Sequence, residues 1–209
     1  MTTALEHVLG VLGEDLGLVV DDDGGMLPSG FAAFDHARRY RYLLARTWDG
    51  DLDPAVWLMC NPSTADAFVL DATLRRCRAF SHTWGHGGMV ILNAFAFRAT
   101  QPDDMKAQPD PVGPVNDAVI AVTAAGLPGA PWIVGWGANG GHLGRDRQVA
   151  AILAGYELSP SMLAVTKDGH PGHPLRLRAD AKPTPWNLPN AVYGASCGDR
   201  SDRSPDPKP

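Results

Sequence analysis

The chain has 209 residues, 44% hydrophobic and 20% charged, with a formal net charge of −5. That composition is ordinary for a soluble globular protein and sufficient for one sizeable α/β domain, and no apolar run approaches the roughly 20 residues of a membrane helix. The acidic balance argues against gripping nucleic acid by bulk electrostatics, although a local basic groove stays compatible with it. Cys60, Cys77 and Cys197 are odd in number and widely spaced, without a Cys-x-x-Cys pair. They indicate neither a disulfide framework nor a zinc knuckle. The start, MTTALEHVLG, carries an early acid and no basic run, unlike a signal peptide. A reducing, cytoplasmic setting is therefore expected.

In chain order, residues 2–13 place Leu5, Val8, Leu9 and Leu12 on one face of a short helix. The acidic, Gly/Pro-broken DDDGGMLPSG follows, and residues 1–30 read as an appendage and linker. RYRYLLARTW reads as a first strand and AVWLMC as a short buried one. In DATLRRCRAFSHTWG, Asp71 is the expected N-cap, Leu74, Cys77 and Phe80 share a face, and Gly85 ends the helix. Further strands are expected in GGMVILNAF, PWIVGWG and SMLAVT, with helices in VGPVNDAVIAVTAAGL and LGRDRQVAAILAGY. Strand and helix thus alternate. The expected fold is a three-layer α/β/α domain over residues 31–190, with a central, mostly parallel sheet. Residues 191–209 are polar, Pro-rich and expected to be disordered.

Open parallel sheets bind ligands beyond the carboxyl ends of their strands. There the chain places Asn61-Pro62-Ser63-Thr64 with Asp66, then Asn93 with Arg98, then Trp136-Gly137, and finally His170 and His173. Each group has a plainer reading. Asn-Pro makes turns, a buried amide often pairs within the protein, and Trp-Gly suits core followed by a turn. Two histidines three apart are half a metal site without a matching second half, so no metal is assigned. Convergence at four strand ends is the argument for a site.

Those residues carry two resemblances. RYRYLLARTW, LMCNPSTADA, DATLRRCRAFSHTWGHGG, VILNAFAFRATQPDDM, DPVGPVND, VGWGANG and TKDGHPGHPL resemble a bacterial family of uncharacterised proteins, the domain of unknown function numbered 1643. The likeness covers residues 39 to about 186. It departs at Leu70-Asp71-Ala72-Thr73, where the family often has two acids then Pro-Thr, and at Arg176, where it often has an aromatic. More distantly, the order CNPST, VILNAF, IVGWGANG, GHPGHPL is similar to that of the uracil-DNA glycosylase superfamily.

The second resemblance implies a glycosylase-like fold and a nucleobase in the pocket, from a nucleotide or from DNA. It implies that Asn61 aims a water at the anomeric carbon, that His170 or His173 stabilises the departing base, and that Asn93 holds a base edge. Asp66 is the nearest candidate general base. Pro62, Ser63, Thr64, Arg98, Trp136 and Gly137 complete the expected ligand-binding set. No cofactor is implied. The rivals are a non-catalytic nucleotide or modified-base module, and a metal-dependent hydrolase using Asp66, Asp71, His170 and His173.

Overall fold

The computed structural model describes residues 3–25, 27–64 and 69–187. Asp66 and the tail 191–209 lie outside the described residues. The chain runs α1 (Thr3–Glu14), β1 (Val19–Asp22), β2 (Ser29–Phe34), β3 (Arg41–Thr47), β4 (Pro54–Met59), α2 (Ala72–Thr83) and β5 (Gly88–Asn93). It continues through α3 (Pro102–Lys106), α4 (Asn116–Gly126), β6 (Trp132–Val134), α5 (Arg145–Gly155), β7 (Ser161–Met162) and β8 (Thr184–Pro185). Short 3₁₀ segments lie at Ala138–Gly144 and Pro174–Arg176.

The eight strands form one sheet in the order β1-β2-β3-β5-β4-β6-β7-β8. Only β5, β4, β6 and β7 run parallel. The pairs β1–β2, β2–β3, β3–β5 and β7–β8 are antiparallel. The sheet is therefore mixed, which corrects the mostly parallel sheet expected from sequence. The reason is connection length. Only residues 35–40 separate β2 from β3, and so short a link returns the chain antiparallel, whereas a parallel pair needs a long crossover.

Alternation along β4 sends its side chains to two clusters. Val56 and Leu58 face one with Val90, Leu92, Val119, Ile120, Val149 and Leu153, so α4 and α5 cover that face. Ala55, Trp57 and Met59 face the other with Leu74, Cys77 and Phe80 of α2. Both faces of β4 are buried, which is why its sequence is continuously apolar. At the start of α2, Asp71 is the N-cap: its Oδ1 accepts from the Leu74 N–H at 2.8 Å. Past its end Gly85 adopts φ +83°, a conformation that glycine takes without steric cost.

Residues 3–22, read from sequence as appendage and linker, are packed into this domain. Leu5, Val8, Leu9 and Leu12 of α1 are buried in the cluster that holds α4 and α5. β1 extends the sheet by pairing with β2.

The pairing of β2 with β3 is irregular at one point. Ala33 of β2 pairs with Leu43 of β3, but the next residue, Phe34, pairs with Arg41. Tyr42 is thus an extra residue, and β3 bulges there. Tyr42 and Leu43 both face the α4/α5 cluster, while Leu44 faces the α2 cluster. A bulge re-aims the side chains beyond it. It returns Arg41 to the α2 side of the sheet.

Candidate functional site

At the carboxyl ends of β4, β5 and β6, on the α2 side, lies a cavity of about 630 Å³. Met59 and Ile91 form part of its apolar floor, and Asn61, Ser63, Asn93, Asp71, Arg41 and His173 bring polar groups to its walls.

The β4 and β5 exits are fastened to each other. Asn61 donates from Nδ2 to the carbonyls of Ala99 (2.8 Å) and Pro62 (3.2 Å). The Ala99 N–H donates to the Pro62 carbonyl at 2.9 Å. Thr64 and Thr100 share a hydroxyl hydrogen bond of 2.8 Å. Arg98 donates to the carbonyls of Thr64 (2.9 Å) and Arg38 (3.0 Å), with its guanidinium over the Phe34 ring. Because both neighbours of the Asn61 nitrogen are carbonyls, that atom must be the donor. Oδ1 is left as an acceptor with no donor among the described residues.

Asn93 ends β5. Its backbone carbonyl and that of Ala94 accept from Asn116 Nδ2 at 2.9 and 3.1 Å. Arg145, fully buried at the start of α5, donates from Nε to the Ala94 carbonyl at 2.6 Å and pairs with Asp117. These contacts satisfy the carbonyls released where the ladder stops, as buried backbone requires. The Asn93 side chain, only 3% exposed, has no hydrogen-bond partner among the described residues and lines the cavity.

The far wall depends on glycine. Gly137 follows β6 with φ +66° and ψ −166°, a region essentially reserved for glycine. Its N–H donates to the Pro171 carbonyl at 2.9 Å, pinning the histidine loop to the end of β6. Trp136 is 1% exposed and edge-on to Trp186, its Nε1 without a hydrogen-bond partner among the described residues. His173 Nδ1 accepts from the Leu175 N–H at 3.3 Å, so in the neutral ring Nε2 carries the proton. Burial is the first cause holding the His173 pKa below its ordinary value. The Arg176 cation adds to this and Asp71 opposes it. A neutral imidazole donor results near neutral pH.

Of the residues expected from sequence, Asn61, Pro62, Ser63, Asn93, Trp136, Gly137 and His173 line this one cavity. Thr64 and Arg98 do not; they fasten the loops behind it. His170 does not line it either. It lies over Gly141, where an added Cβ would be 2.8 Å from its Cε1. Cys60 lines the cavity, but burial pushes its thiol up to about 12, so it offers no thiolate at neutral pH. Among the described residues no three His, Cys, Asp or Glu side chains come together as a metal site.

Sequence reasoning missed Arg41. It is 3% exposed, lines the cavity, and its guanidinium has no hydrogen bond or ion pair among the described residues. Burial is the main cause lowering its pKa to about 10; Arg98 and Arg46 add to this and Asp71 opposes it. It still carries its charge at pH 7. The available signal was an arginine between two tyrosines at the start of a strand that continues apolar through Ala45. Asp71, recognised as a cap, also has its carboxylate on the cavity, where Oδ2 meets the Ser63 hydroxyl at 3.4 Å.

The chain is thus a mixed α/β protein with a cavity beyond the carboxyl ends of its parallel strands, the place where such sheets generally bind ligands. The family model described as "Protein of unknown function (DUF1643)" matches residues 41–175, and the chain belongs to that family. No curated protein and no solved structure gives a significant match. No helix among the described residues is long and apolar enough to cross a membrane.

Proposed function

We propose that this chain binds a nucleobase-containing ligand in the cavity at the ends of β4, β5 and β6, in a site suited to glycosidic cleavage. The observation that carries this is a pair of amides with unspent hydrogen-bonding capacity on one cavity: Asn61 through Oδ1 and Asn93 through its whole side chain. A buried amide presents donor and acceptor side by side, the complement of a base edge. Leaving such groups unmatched costs about 1–3 kcal/mol each, which a ligand with the opposite pattern recovers.

The roles are those implied by the resemblance to the uracil-DNA glycosylase superfamily, and the open Asn61 Oδ1 and the His173 Nε2–H on the cavity support them. Asn61 Oδ1 accepts from a water and aims it at the anomeric carbon. The C–N bond breaks with its electron pair going to the base. His173 Nε2–H donates to the oxygen on which that charge collects. Asn61 is not basic, so the water's proton leaves to the departing base or to solvent. Placement of α2 on one face and of α1, α4 and α5 on the other supports a glycosylase-like α/β/α arrangement as the finer description of the fold.

A non-catalytic nucleotide-binding module is the second reading. It is favoured by Asp71, whose carboxylate is committed to capping α2 rather than free to act as a base.

The test is a thermal-shift screen of nucleobases, nucleosides, nucleotides and short single- and double-stranded DNA. Wild type is run beside Asn61→Ala and Asn93→Ala. A ligand that binds the folded state raises Tm, and both variants should lose that rise. No rise with any of these compounds in the folded wild type refutes the reading. Binding without release of free base selects the non-catalytic form.

A further inference from the structure

The bulge in β3 places on the cavity a cation that no group among the described residues neutralises. Arg41 is almost wholly buried, with Nε unpartnered, and no acid among the described residues forms an ion pair with it. Asp71, the acid beside it on the cavity, is occupied by the Leu74 N–H and the Ser63 hydroxyl. A buried guanidinium without a partner is costly, and folded proteins normally pair it. Nor do the other described residues of the lining supply the missing charge. Among the described residues it carries Arg41, Lys167 and Arg176 against Asp71 and Asp168, one positive charge in excess, in a chain whose formal net charge is −5.

We infer that Arg41 is the anion subsite of this cavity and takes a phosphate of the ligand, which is therefore a nucleotide rather than a free base or nucleoside. The nucleotide part rests on the proposed nucleobase site; the anion subsite rests on Arg41 alone. The planar guanidinium fork matches phosphate oxygens in pairs, which an ammonium does not. Its backbone keeps the fork in place: the Arg41 N–H donates to the Ala96 carbonyl at 3.0 Å, just beyond β5. Asn93 and Arg41 thus flank one cavity, the amide for a base edge and the guanidinium for the phosphate.

The experiment measures binding at constant ionic strength by calorimetry and thermal shift, for wild type and Arg41→Met. The probes are a set of nucleosides, their 5′-monophosphates, inorganic phosphate and pyrophosphate. Methionine keeps the apolar stem without the charge, and circular dichroism checks that the variant is folded. Wild type should bind a monophosphate about tenfold to a hundredfold more tightly than its nucleoside, the range of one or two charge-assisted hydrogen bonds. Arg41→Met should bind the two alike. Equal binding of both by wild type, or a preference that survives in Arg41→Met, overturns the subsite and leaves the nucleobase reading standing. Stabilisation by phosphate or pyrophosphate that Arg41→Met abolishes, with no discrimination among bases, keeps the subsite and removes the nucleobase reading. Because the first comparison uses wild type alone, a misfolded variant does not shelter the inference. No stabilisation of wild type by any probe overturns both.

Discussion

Replacing Arg145 by Met tests the account of how the β5 exit is held. Arg145 is fully buried, and its partner Asp117 is 59% exposed. Its Nε donates to the Ala94 carbonyl at 2.6 Å and NH1 donates to Gln148 Oε1 at 3.2 Å. Breaking a buried ion pair typically costs about 3–5 kcal/mol, because one charge is stranded. Here two features reduce that figure. Asp117 regains water once the arginine is gone, and the Ala94 carbonyl keeps the Asn116 amide at 3.1 Å. Methionine also refills most of the aliphatic stem, so little cavity remains. What is lost is the buried charge-assisted hydrogen bond to Ala94, the longer one to Gln148, whose amide regains water, and the screened attraction to Asp117, together about 2–3 kcal/mol. Urea unfolding followed by tryptophan fluorescence should then show a midpoint lower by about 1 M, taking m near 2 kcal/mol/M. Asp117→Asn should cost under about 1 kcal/mol, as an exposed partner does. A loss below about 1 kcal/mol for Arg145→Met, or equal losses for the two variants, would refute this partition.

Gly140→Ala would set a Cβ 2.0 Å from Trp136 Cδ1. With that ring buried, a loss of at least about 2 kcal/mol is expected, together with a changed near-ultraviolet circular dichroism spectrum. Acid stability has a definite sign. Burial holds the pKa values of His173 and His86 below normal in the folded state, so the unfolded chain binds more protons. Stability should therefore fall as pH drops through the ordinary histidine range. The slope of Tm against pH should be shallower in His173→Asn, with His86 supplying the remainder. Cys60 should react slowly with a thiol reagent at pH 7 and quickly after unfolding, because burial raises its pKa to about 12; rapid reaction of the native protein would contradict its placement.

Local pattern made the centre of the fold legible. The apolar runs of β4, β5 and β6 and the 3.6-residue spacing of α2, with Asp71 before it, are signals carried by neighbouring residues. Strand direction is not such a signal: Arg41–Thr47 would read the same beside either kind of partner. In the strand SGFAAF of β2, the β signal of Phe31 and Phe34 is diluted by Ser29, Gly30 and two alanines. At the site, Asn61 and Asn93 were legible because a polar amide beside an apolar strand is conspicuous. Which histidine lines the cavity was not, since His170 and His173 share one Gly/Pro loop. The choice is made by the Gly137–Pro171 hydrogen bond, between residues far apart in sequence. Arg41 escaped because strict alternation with Leu44 assigns it to the opposite face.

The bulge in β3 also decides what kind of mutation can move the charge. The face on which Arg41 lies is a matter of counting: one supernumerary residue, Tyr42, separates a cation in the cavity from a cation driven towards the α4/α5 side of the sheet. Substituting Tyr42 leaves the count unchanged. Deleting it shifts the phase of the strand by one, and Arg41, the one residue of β3 before it, changes sides. The cavity's electrostatics are thus written in the length of the chain between two paired positions, where an insertion or deletion acts as a switch and a point substitution does not.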